Sequence, residues 1–300
     1  MNPKKPTRDI VDGWIALDKP TGLTSTQAVS RLKRVYNGKK AGHAGTLDPL
    51  ASGILPVAFG EATKTVPFVQ DGEKAYQFTV CWGAETDTDD SDGLITLTSL
   101  KRPARDEIET AILNFIGDIQ QVPPQFSAIK VSGARAYDLA REGGTFELAS
   151  RQVQVHSLVL LDFAPSEARF SMACGKGAYV RAIARDIGRQ LGCLGHITSL
   201  RRTRVGPFVE SDAYTLDEIE NKNMAHEALL SVDAGLSALP CVKVDRDTAA
   251  RLRRGGAVVL RGHDAPDSGV VYAACGGVPV AFGEIIDGAL APSRVFNLPF

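Results

Sequence analysis

One acidic side chain lies in an otherwise apolar, glycine-rich stretch of the sequence. Asp48 is found between Gly42 and Gly60, in the segment GHAGTLDPLASGILPVAFG, where His43 is the only other ionisable residue. Aliphatic neighbours desolvate a carboxylate and raise its pKa unless a cation or N–H donors compensate. A carboxylate that stays ionised in such surroundings is a nucleophile or a base. The segment therefore predicts a reactive aspartate beside a fixed cation, against the simpler alternative of a turn residue before a proline.

The cation that such an aspartate needs is available on a predicted helix later in the chain. Residues 179–192, YVRAIARDIGRQLG, carry apolar side chains at the spacing typical of a helix with one buried face. Arg181, Arg185 and Arg189 recur every four residues on another face. An arginine from either basic segment of the chain, at 1–40 or 176–204, could be the partner of Asp48, and the alternative is that these charges form ordinary solvated helix faces.

Charge is distributed unevenly, although the 300-residue chain has a net charge of only −1. Residues 1–40 carry nine Lys/Arg and three Asp, a net charge of +6, and residues 176–204 carry seven Lys/Arg and one Asp, again +6. Acidic residues crowd the segment 85–92 instead, which is typical of a polar turn. Because local field matters more than net charge for a polyanion, the two basic segments are candidates for a surface that follows nucleic-acid phosphates.

Several classes of protein are disfavoured by what the sequence lacks. It contains no P-loop ending in Gly-Lys-Ser/Thr, no dinucleotide-binding glycine motif, no G-x-S-x-G elbow and no EF-hand spacing. Its five cysteines are scattered and never form C-x-x-C, which argues against a zinc site or a disulfide framework and for a reducing, cytoplasmic location. The start of the chain has no apolar signal region, and no stretch is long enough for a membrane helix. We therefore expect chemistry that uses protein side chains without a metal or cofactor.

Local patterns predict the elements that must position these side chains. A capping box at Thr24 and Gln27 predicts the start of a helix, and glycines predict the ends of two later helices, at Gly117 and Gly192. The alternating segment AYQFTVCWG at 75–83 and the segments at 152–163 and 168–175 predict strands. After residue 240, short apolar runs between Gly, Pro and Asp predict a small all-β domain.

Five segments of this chain together resemble the TruB family of tRNA pseudouridine synthases. The segment around Asp48, AGHAGTLDPLASGILPVAFGEATK, is similar to the active-site motif of that family. The other four are GWIALDKPTGLTS, KAYQFTVCWGAETDTDDSDG, PPQFSAIKVSGARAYDLAREG and CGKGAYVRAIARDIG. The resemblance covers most of residues 10–235.

The resemblance implies an α+β fold. We expect a catalytic domain at 1–238, built on a mixed, largely antiparallel sheet with flanking helices, and an insertion at about 122–150 that clamps RNA. Residues 239–300 are similar only in general texture to the small, all-β, PUA-like RNA-binding domain of the family.

The resemblance also implies roles for individual residues. Asp48 matches the catalytic aspartate, Arg181 the arginine that pairs with it, and Tyr76 the tyrosine that stacks on the target base. The positions implied to bind substrate are His43, Tyr179, Leu200, Lys19 and Lys64. Asp90 is expected to hold neighbouring loops by hydrogen bonds and is not expected to be catalytic.

The implied activity is that of an isomerase, an intramolecular transferase that converts uridine to pseudouridine at position 55 in the T-loop of tRNA. A base inside a folded loop must be flipped out before an enzyme can reach it. The aspartate is suited to attack on the sugar, attack on the base or removal of a sugar proton, and the sequence leaves these routes open. We expect a cytoplasmic monomer that binds the T-arm of tRNA without a cofactor, a guide RNA or a membrane.

Two alternatives to this function exist. One is a guide-RNA-dependent pseudouridine synthase, which shares the catalytic motif but typically has a fuller C-terminal domain. The other is an RNA-binding or tRNA-folding protein in which chemistry is secondary or lost. The intact Asp48, Tyr76 and Arg181 argue against a dead site, and the segment QFSAIKVSGARAYDLAREGG favours the stand-alone enzyme.

Overall fold

The computed structural model describes residues 8–127, 129–131, 134–135, 146, 148–220, 222–260 and 266–299. Much of the insertion predicted at 122–150 therefore lies outside the described residues. Within the described ranges, no helix is long and apolar enough to cross a membrane.

Helices and strands alternate irregularly along the chain. The helices are α1 Ser25–Val35, α2 Val66–Asp71, α3 Arg105–Ala111, α4 Val180–Leu191, α5 Leu216–Glu220, α6 Lys222–Glu227 and α7 Arg246–Arg253. The strands are β1 Gly13–Lys19, β2 Ala41–His43, β3 Ser52–Phe59, β4 Lys74–Trp82, β5 Ala84–Thr86, β6 Ile95–Thr98, β7 Gly117–Gln121, β8 Lys130–Val131, β9 Ala134–Arg135, β10 Arg151–Ala164, β11 Glu167–Cys174, β12 Gly195–Val205, β13 Phe208–Val209, β14 Tyr214–Thr215, β15 Cys241–Lys243, β16 Val258–Val259, β17 Gly269–Cys275, β18 Val278–Ile286 and β19 Ala289–Val295.

The larger unit is built on a ten-stranded sheet. Its main path runs β14-β1-β3-β12-β4-β11-β10-β7, with β2 added to β3 and β13 added to β12. Most pairs are antiparallel, whereas β1 pairs with β14 and β12 pairs with β3 in parallel. This confirms the predicted mixed, largely antiparallel sheet, and it brings β3, β12 and β4 together at the centre.

Local sequence rules account for the main helices. In α1, Thr24 and Gln27 form the predicted capping box, and Val29 and Leu32 are buried against the sheet. Helix α4 ends at Gly192, which adopts the left-handed conformation (φ 69°) that glycine accepts without steric cost.

The helix predicted to run to Gly117 is wrong in its second half. The α-helical part ends at Ala111, and Ile112–Phe115 continue as a 3₁₀ turn. The tighter turn buries Ile112 and leaves Leu113 exposed. Gly117 then starts β7 with φ +95°, so the glycine marks a sharp change of direction between helix and strand.

The C-terminal residues form a second, smaller sheet. Its five strands lie in the order β15-β17-β18-β19-β16, and a separate apolar cluster surrounds Val271, Val280 and Leu290. The unit also contains α7, which the sequence analysis did not predict and which Asp245 caps through the backbone N–H of Thr248.

The two sheets share an apolar contact. Phe282 lies on the smaller sheet and Phe296 directly follows its last strand, and both join a buried cluster with Trp14 and Phe208 of the larger unit. The ring of Phe68 meets that of Phe282 edge to face, with centroids 4.9 Å apart. The smaller sheet is therefore packed directly onto the larger unit.

Candidate active site

Asp48 and Arg181 form a direct ion pair. Asp48 lies in the loop between β2 and β3, and Arg181 lies in the first turn of α4. Arg181 Nη2 is 2.9 Å from Asp48 Oδ2, and the side chains are 6% and 41% exposed respectively. The predicted fixed cation is thus Arg181, and the alternative of a solvated helix face is wrong for this arginine. The carboxylate remains open to a ligand while its partner is buried.

Four acceptors fix the guanidinium of Arg181. Besides Asp48, it donates from Nη1 to the carbonyl of Thr88 (2.7 Å) and from Nη2 to the carbonyl of Phe126 (2.9 Å). Asp90 Oδ2 is 3.4 Å from Nη1. Because a planar guanidinium with this many partners has one orientation, Asp48 faces a cation that cannot turn away from it.

The loop that carries Asp48 is itself tied down. Ser25 Oγ accepts a hydrogen bond from the backbone N–H of Leu47 (2.8 Å) and donates to the carbonyl of Leu47 (2.9 Å). The N–H of Ala51 donates to the carbonyl of Asp48, and that of Gly22 to the carbonyl of Pro49. The turn expected before a proline therefore exists, and the side chain of Asp48 is left for Arg181.

Asp90 ties its own loop together by hydrogen bonds, and among the described residues its side chain reaches another element only through the ion pair with Arg181. Its Oδ1 accepts hydrogen bonds from Thr88 Oγ1 (2.6 Å) and from the backbone N–H of Asp92 (3.1 Å). Its backbone carbonyl accepts from Thr86 Oγ1. The polar turn predicted at 85–92 connects β5 to β6, but its carboxylates are not all solvated. Glu85, Asp89 and Asp90 are buried against the arginines of α4.

Arg202 is a site residue that the sequence analysis missed. It is buried and donates to the carbonyls of Ile54 (2.8 Å), Gly45 (3.0 Å) and Thr46 (3.2 Å), on either side of the Asp48 turn. The sequence did contain a signal for Arg202. The alternation of a strand places it on the same face as Leu200, a predicted substrate-binding residue two positions earlier. Burial lowers the pKa of Arg202, and the nearby charge of Asp48 opposes that shift.

Tyr76 meets Arg202 across the central strands. It lies opposite Arg202 of β12 and Met172 of β11 in the sheet. Burial of the phenol raises its pKa, and the charge of Arg202 acts in the opposite direction. Tyr76 is thus a neutral side chain at physiological pH, with its ring near Asp48.

Lys19 and His43 lie at the same end of the sheet. Lys19 is fully buried, and its Nζ donates to the carbonyls of Pro20 and Leu23, both at 2.8 Å. Burial lowers the pKa of Lys19 to about 8, although the charge of Asp48 works to raise it. Burial and the charge of Arg202 also lower the pKa of His43, so its imidazole is neutral at pH 7.

The remaining predicted residues occupy different surroundings. Tyr179 precedes α4, its backbone is bonded twice by the side chain of Gln121, and Arg151 stacks over its ring at 4.9 Å. Leu200 is buried on β12, opposite Phe78. Lys64 binds Glu61 of the larger unit (2.6 Å) and the carbonyl of Val295 in the smaller sheet (2.9 Å). It therefore lies at the contact between the two sheets.

The basic segment 176–204 is largely neutralised within the protein. Arg202 is held by carbonyls, and each of the other six basic residues has a carboxylate within 4.0 Å. These pairs are Lys176–Asp71, Arg181–Asp48, Arg185–Asp89, Arg189–Glu85, Arg201–Asp18 and Arg204–Glu73. Arg181, Arg185 and Arg202 are buried, whereas Lys176, Arg189, Arg201 and Arg204 remain partly exposed, so the phosphate-binding role of the segment stays a prediction.

The comparison with protein families agrees with the motifs. Residues 33–180 match the TruB family pseudouridylate synthase N-terminal domain, and residues 181–237 match the tRNA pseudouridylate synthase B C-terminal domain. The chain is similar to proteins named tRNA pseudouridine synthase B. That of Bradyrhizobium diazoefficiens is 56% identical, over 96% of this chain and 86% of the relative. That of Sinorhizobium medicae is 51% identical, over 98% of both.

Solved structures share the fold at lower identity. A crystal structure of a Cbf5–Nop10–Gar1 complex contains a chain 26% identical, with a TM-score of 0.75, over 95% of this chain and 85% of that one. A chain in an H/ACA RNP bound to a substrate RNA containing 2′-deoxyuridine is 24% identical, with a TM-score of 0.74.

The electrostatic link between Asp48 and Lys19 can be measured directly. We expect Lys19 to titrate with a pKa of about 8, and Asp48→Asn to lower that pKa further, because the carboxylate favours the charged ammonium. The measurement is a pH titration of the lysine Nζ resonances by NMR, with Lys19 assigned from the Lys19→Arg variant. Asp71→Asn, which removes the partner of Lys176, is the matched control and leaves Lys19 unchanged. A pKa near 10 for Lys19 would contradict the geometry.

Proposed function

We propose, from the premise that this chain belongs to the TruB family of pseudouridylate synthases, that it isomerises the uridine at position 55 in the T-loop of tRNA. The observation that carries this proposal is the Asp48–Arg181 pair, in which an accessible carboxylate rests on a buried guanidinium that also donates to two backbone carbonyls. Relatives that are 50–56% identical over nearly the whole chain, all named tRNA pseudouridine synthase B, support tRNA as the substrate.

The reaction rearranges one nucleotide without a change in redox state. The N1–C1′ bond breaks, the base turns, and a C5–C1′ bond forms. The proton on C5 is lost to solvent, and N1 gains one. The carboxylate of Asp48 takes part by attack on the sugar, by attack on the base or by removal of a sugar proton. In each route the pair with Arg181 fixes the carboxylate before the substrate arrives, so little reorganisation is needed during the reaction.

Side chains around the pair are suited to hold a flipped base. Extrusion of the base from its stack costs a few kcal/mol. Stacking on an aromatic ring such as Tyr76 returns roughly 1–3 kcal/mol. Leu200 adds an apolar wall, and Tyr179 lies two residues before Arg181. His43 is neutral at pH 7, so it can stack within the opened loop without the cost of burying a charge.

We further propose that the chain consists of two domains with different roles. Residues 1–238 form the catalytic domain with an RNA-clamping insertion at about 122–150, and residues 239–300 form a PUA-like RNA-binding domain. The family match to 181–237 ends close to this boundary, and the separate five-stranded sheet begins at residue 241. The described structure gives Lys19 and Lys64 internal partners, so their contribution to substrate binding is through the loops that they hold.

We propose that the enzyme is a monomer that acts alone and needs no guide RNA. Identity is 50–56% to the proteins named tRNA pseudouridine synthase B and 26% to the chain of the Cbf5 complex. This difference supports the unguided enzyme over the guide-dependent alternative.

The function is tested with tRNA that carries tritium at C5 of its uridines. We expect the wild-type protein to release tritium from unmodified tRNA in the absence of any other RNA, and the modified position to map to uridine 55. Asp48→Asn should release none, because the amide is neither a nucleophile nor a base. It should still bind tRNA with nearly the wild-type affinity, because loss of a negative charge does not weaken attraction to a polyanion.

Asp71→Asn serves as the control, because it removes an exposed carboxylate that pairs with Lys176. It should release tritium at the wild-type rate. Tritium release by Asp48→Asn, or the absence of release by the wild type while tRNA remains bound, would contradict the proposed function.

Salt dependence tests which basic residues meet the phosphates. Arg34, Lys39 and Lys40 of the first basic segment are exposed, whereas the 176–204 segment is internally paired. We expect Lys39→Gln and Lys40→Gln each to reduce the slope of log affinity against log salt by about 1. Lys176→Gln, whose charge is already balanced by Asp71, should change the slope little. Equal changes in all three variants would contradict this assignment.

A further inference from the structure

A second buried arginine lies one helical turn beyond Arg181. The side chain of Arg185 is 9% exposed, and all three of its nitrogen atoms have partners, with Asp186 bound by both Nε and Nη2. Nη1 is 3.0 Å from Asp89 Oδ2, Nη2 donates to the carbonyl of Val122 (2.8 Å), and Nε donates to Asp186 (2.8 Å). Arg185 therefore joins the segment 85–92, called the acidic loop below, to the segment that follows β7.

These two segments also supply acceptors to the arginine of the active site. Arg181 donates to the carbonyls of Thr88 and Phe126, which both lie outside helices and strands. Asp89 directly follows Thr88, and Val122 lies four residues before Phe126. Arg185 thus holds each irregular segment close to the carbonyl that orients Arg181.

We infer that Arg185 and Asp89 are positioning residues for the reaction. Their ion pair, together with the hydrogen bond to Val122, fixes the two carbonyls that set the orientation of Arg181, and so fixes the Asp48–Arg181 pair. Neither residue is placed against the substrate. The inference rests on the proposed function, because it concerns the same site.

The backbone at Asp89 supports a dedicated role. Asp89 adopts a left-handed conformation (φ 61°), and its carbonyl accepts from the N–H of Ile197 on β12. Aspartate and asparagine tolerate this conformation better than most residues do. Asp89→Asn therefore keeps the shape of the loop while it removes the charge, and Arg185 keeps Asp186 as a counter-ion.

Asp89 is buried among several charges. The charged groups that act on it are Arg185, Arg181 and Arg189, which favour the carboxylate, and Glu85, which disfavours it. Burial outweighs the arginines and raises the pKa of Asp89 to about 6. The carboxylate is ionised above that pH, and the pair with Arg185 is lost as the pH falls through it. A positioning role therefore predicts an acid limb near pH 6 in the rate of the chemical step.

The test measures single-turnover tritium release at saturating enzyme, as a function of pH, together with the affinity for tRNA and the thermal midpoint. The variants are Asp89→Asn and Arg185→Gln. Glu85→Gln is the matched control. It removes another buried carboxylate of the segment 85–92, and the partner of that carboxylate is the more exposed Arg189.

We expect Asp89→Asn and Arg185→Gln to slow the chemical step at pH 7.5 by on the order of ten- to hundredfold, as small displacements of catalytic groups do. The thermal midpoint of Asp89→Asn should stay close to that of the wild type, and its rate should lack the limb near pH 6. Glu85→Gln should act at the wild-type rate at pH 7.5. A purely structural role would lower the thermal midpoint without a change in the rate of the folded enzyme or in the pH profile.

Wild-type rates and a wild-type pH profile in Asp89→Asn would overturn the inference, whether or not Arg185→Gln folds. An equal loss of rate in Glu85→Gln would also overturn it, because the effect would then belong to the whole acidic loop. Failure of the wild type to release tritium would instead overturn the proposed function, so the two failures are distinguishable.

Discussion

A buried guanidinium needs partners for its charge and its N–H groups, and this requirement organises the structure around Arg181. An unpaired charge in a protein interior is costly, and an ion pair compensates for burial only when further hydrogen bonds complete its geometry. Arg181 meets the condition with Asp48, Asp90 and the carbonyls of Thr88 and Phe126. The loop of Asp48, the acidic loop and the segment after β7 are thereby drawn to one end of α4. The site is assembled because each of these segments completes the pairing of a single side chain.

The same principle explains how basic residues serve the fold. Arg185 and Arg202 are also buried, and backbone carbonyls hold both of them. Arg202 donates to carbonyls on both sides of the Asp48 turn and lies opposite Tyr76 in the sheet, so it links the loop of the reactive carboxylate to the proposed stacking ring. Three of the seven basic residues at 176–204 are therefore internal. We expect the exposed lysines near β2 to contribute to the electrostatic attraction of tRNA.

Local patterns predicted the helices and strands. The residues that the sequence analysis missed are buried because of partners that are far away in the sequence. The capping box at Thr24, the alternation in β4 and the cap at Gly192 depend on neighbours in sequence, and the structure confirms them. The burial of Asp89 and Arg202 depends on partners about 100 or more residues away. Strand alternation with Leu200 indicates the face of Arg202, whereas no pattern within the segment 85–92 specifies the burial of Asp89. The family motifs indicated Asp48 and Arg181, but the carbonyls that orient Arg181 are backbone groups and leave no signature in residue types.

The central claim is that Arg181 makes Asp48 competent by holding it in one geometry. The most direct test compares single-turnover rates of wild type, Arg181→Met and Arg181→Lys on tritiated tRNA, with tRNA affinity measured in parallel. The claim predicts a loss of at least about a hundredfold in Arg181→Met at nearly unchanged affinity. Arg181→Lys should recover only a small part of the rate, because a single ammonium cannot satisfy two carboxylates and two carbonyls at once. A rate close to that of the wild type in Arg181→Met would contradict the claim.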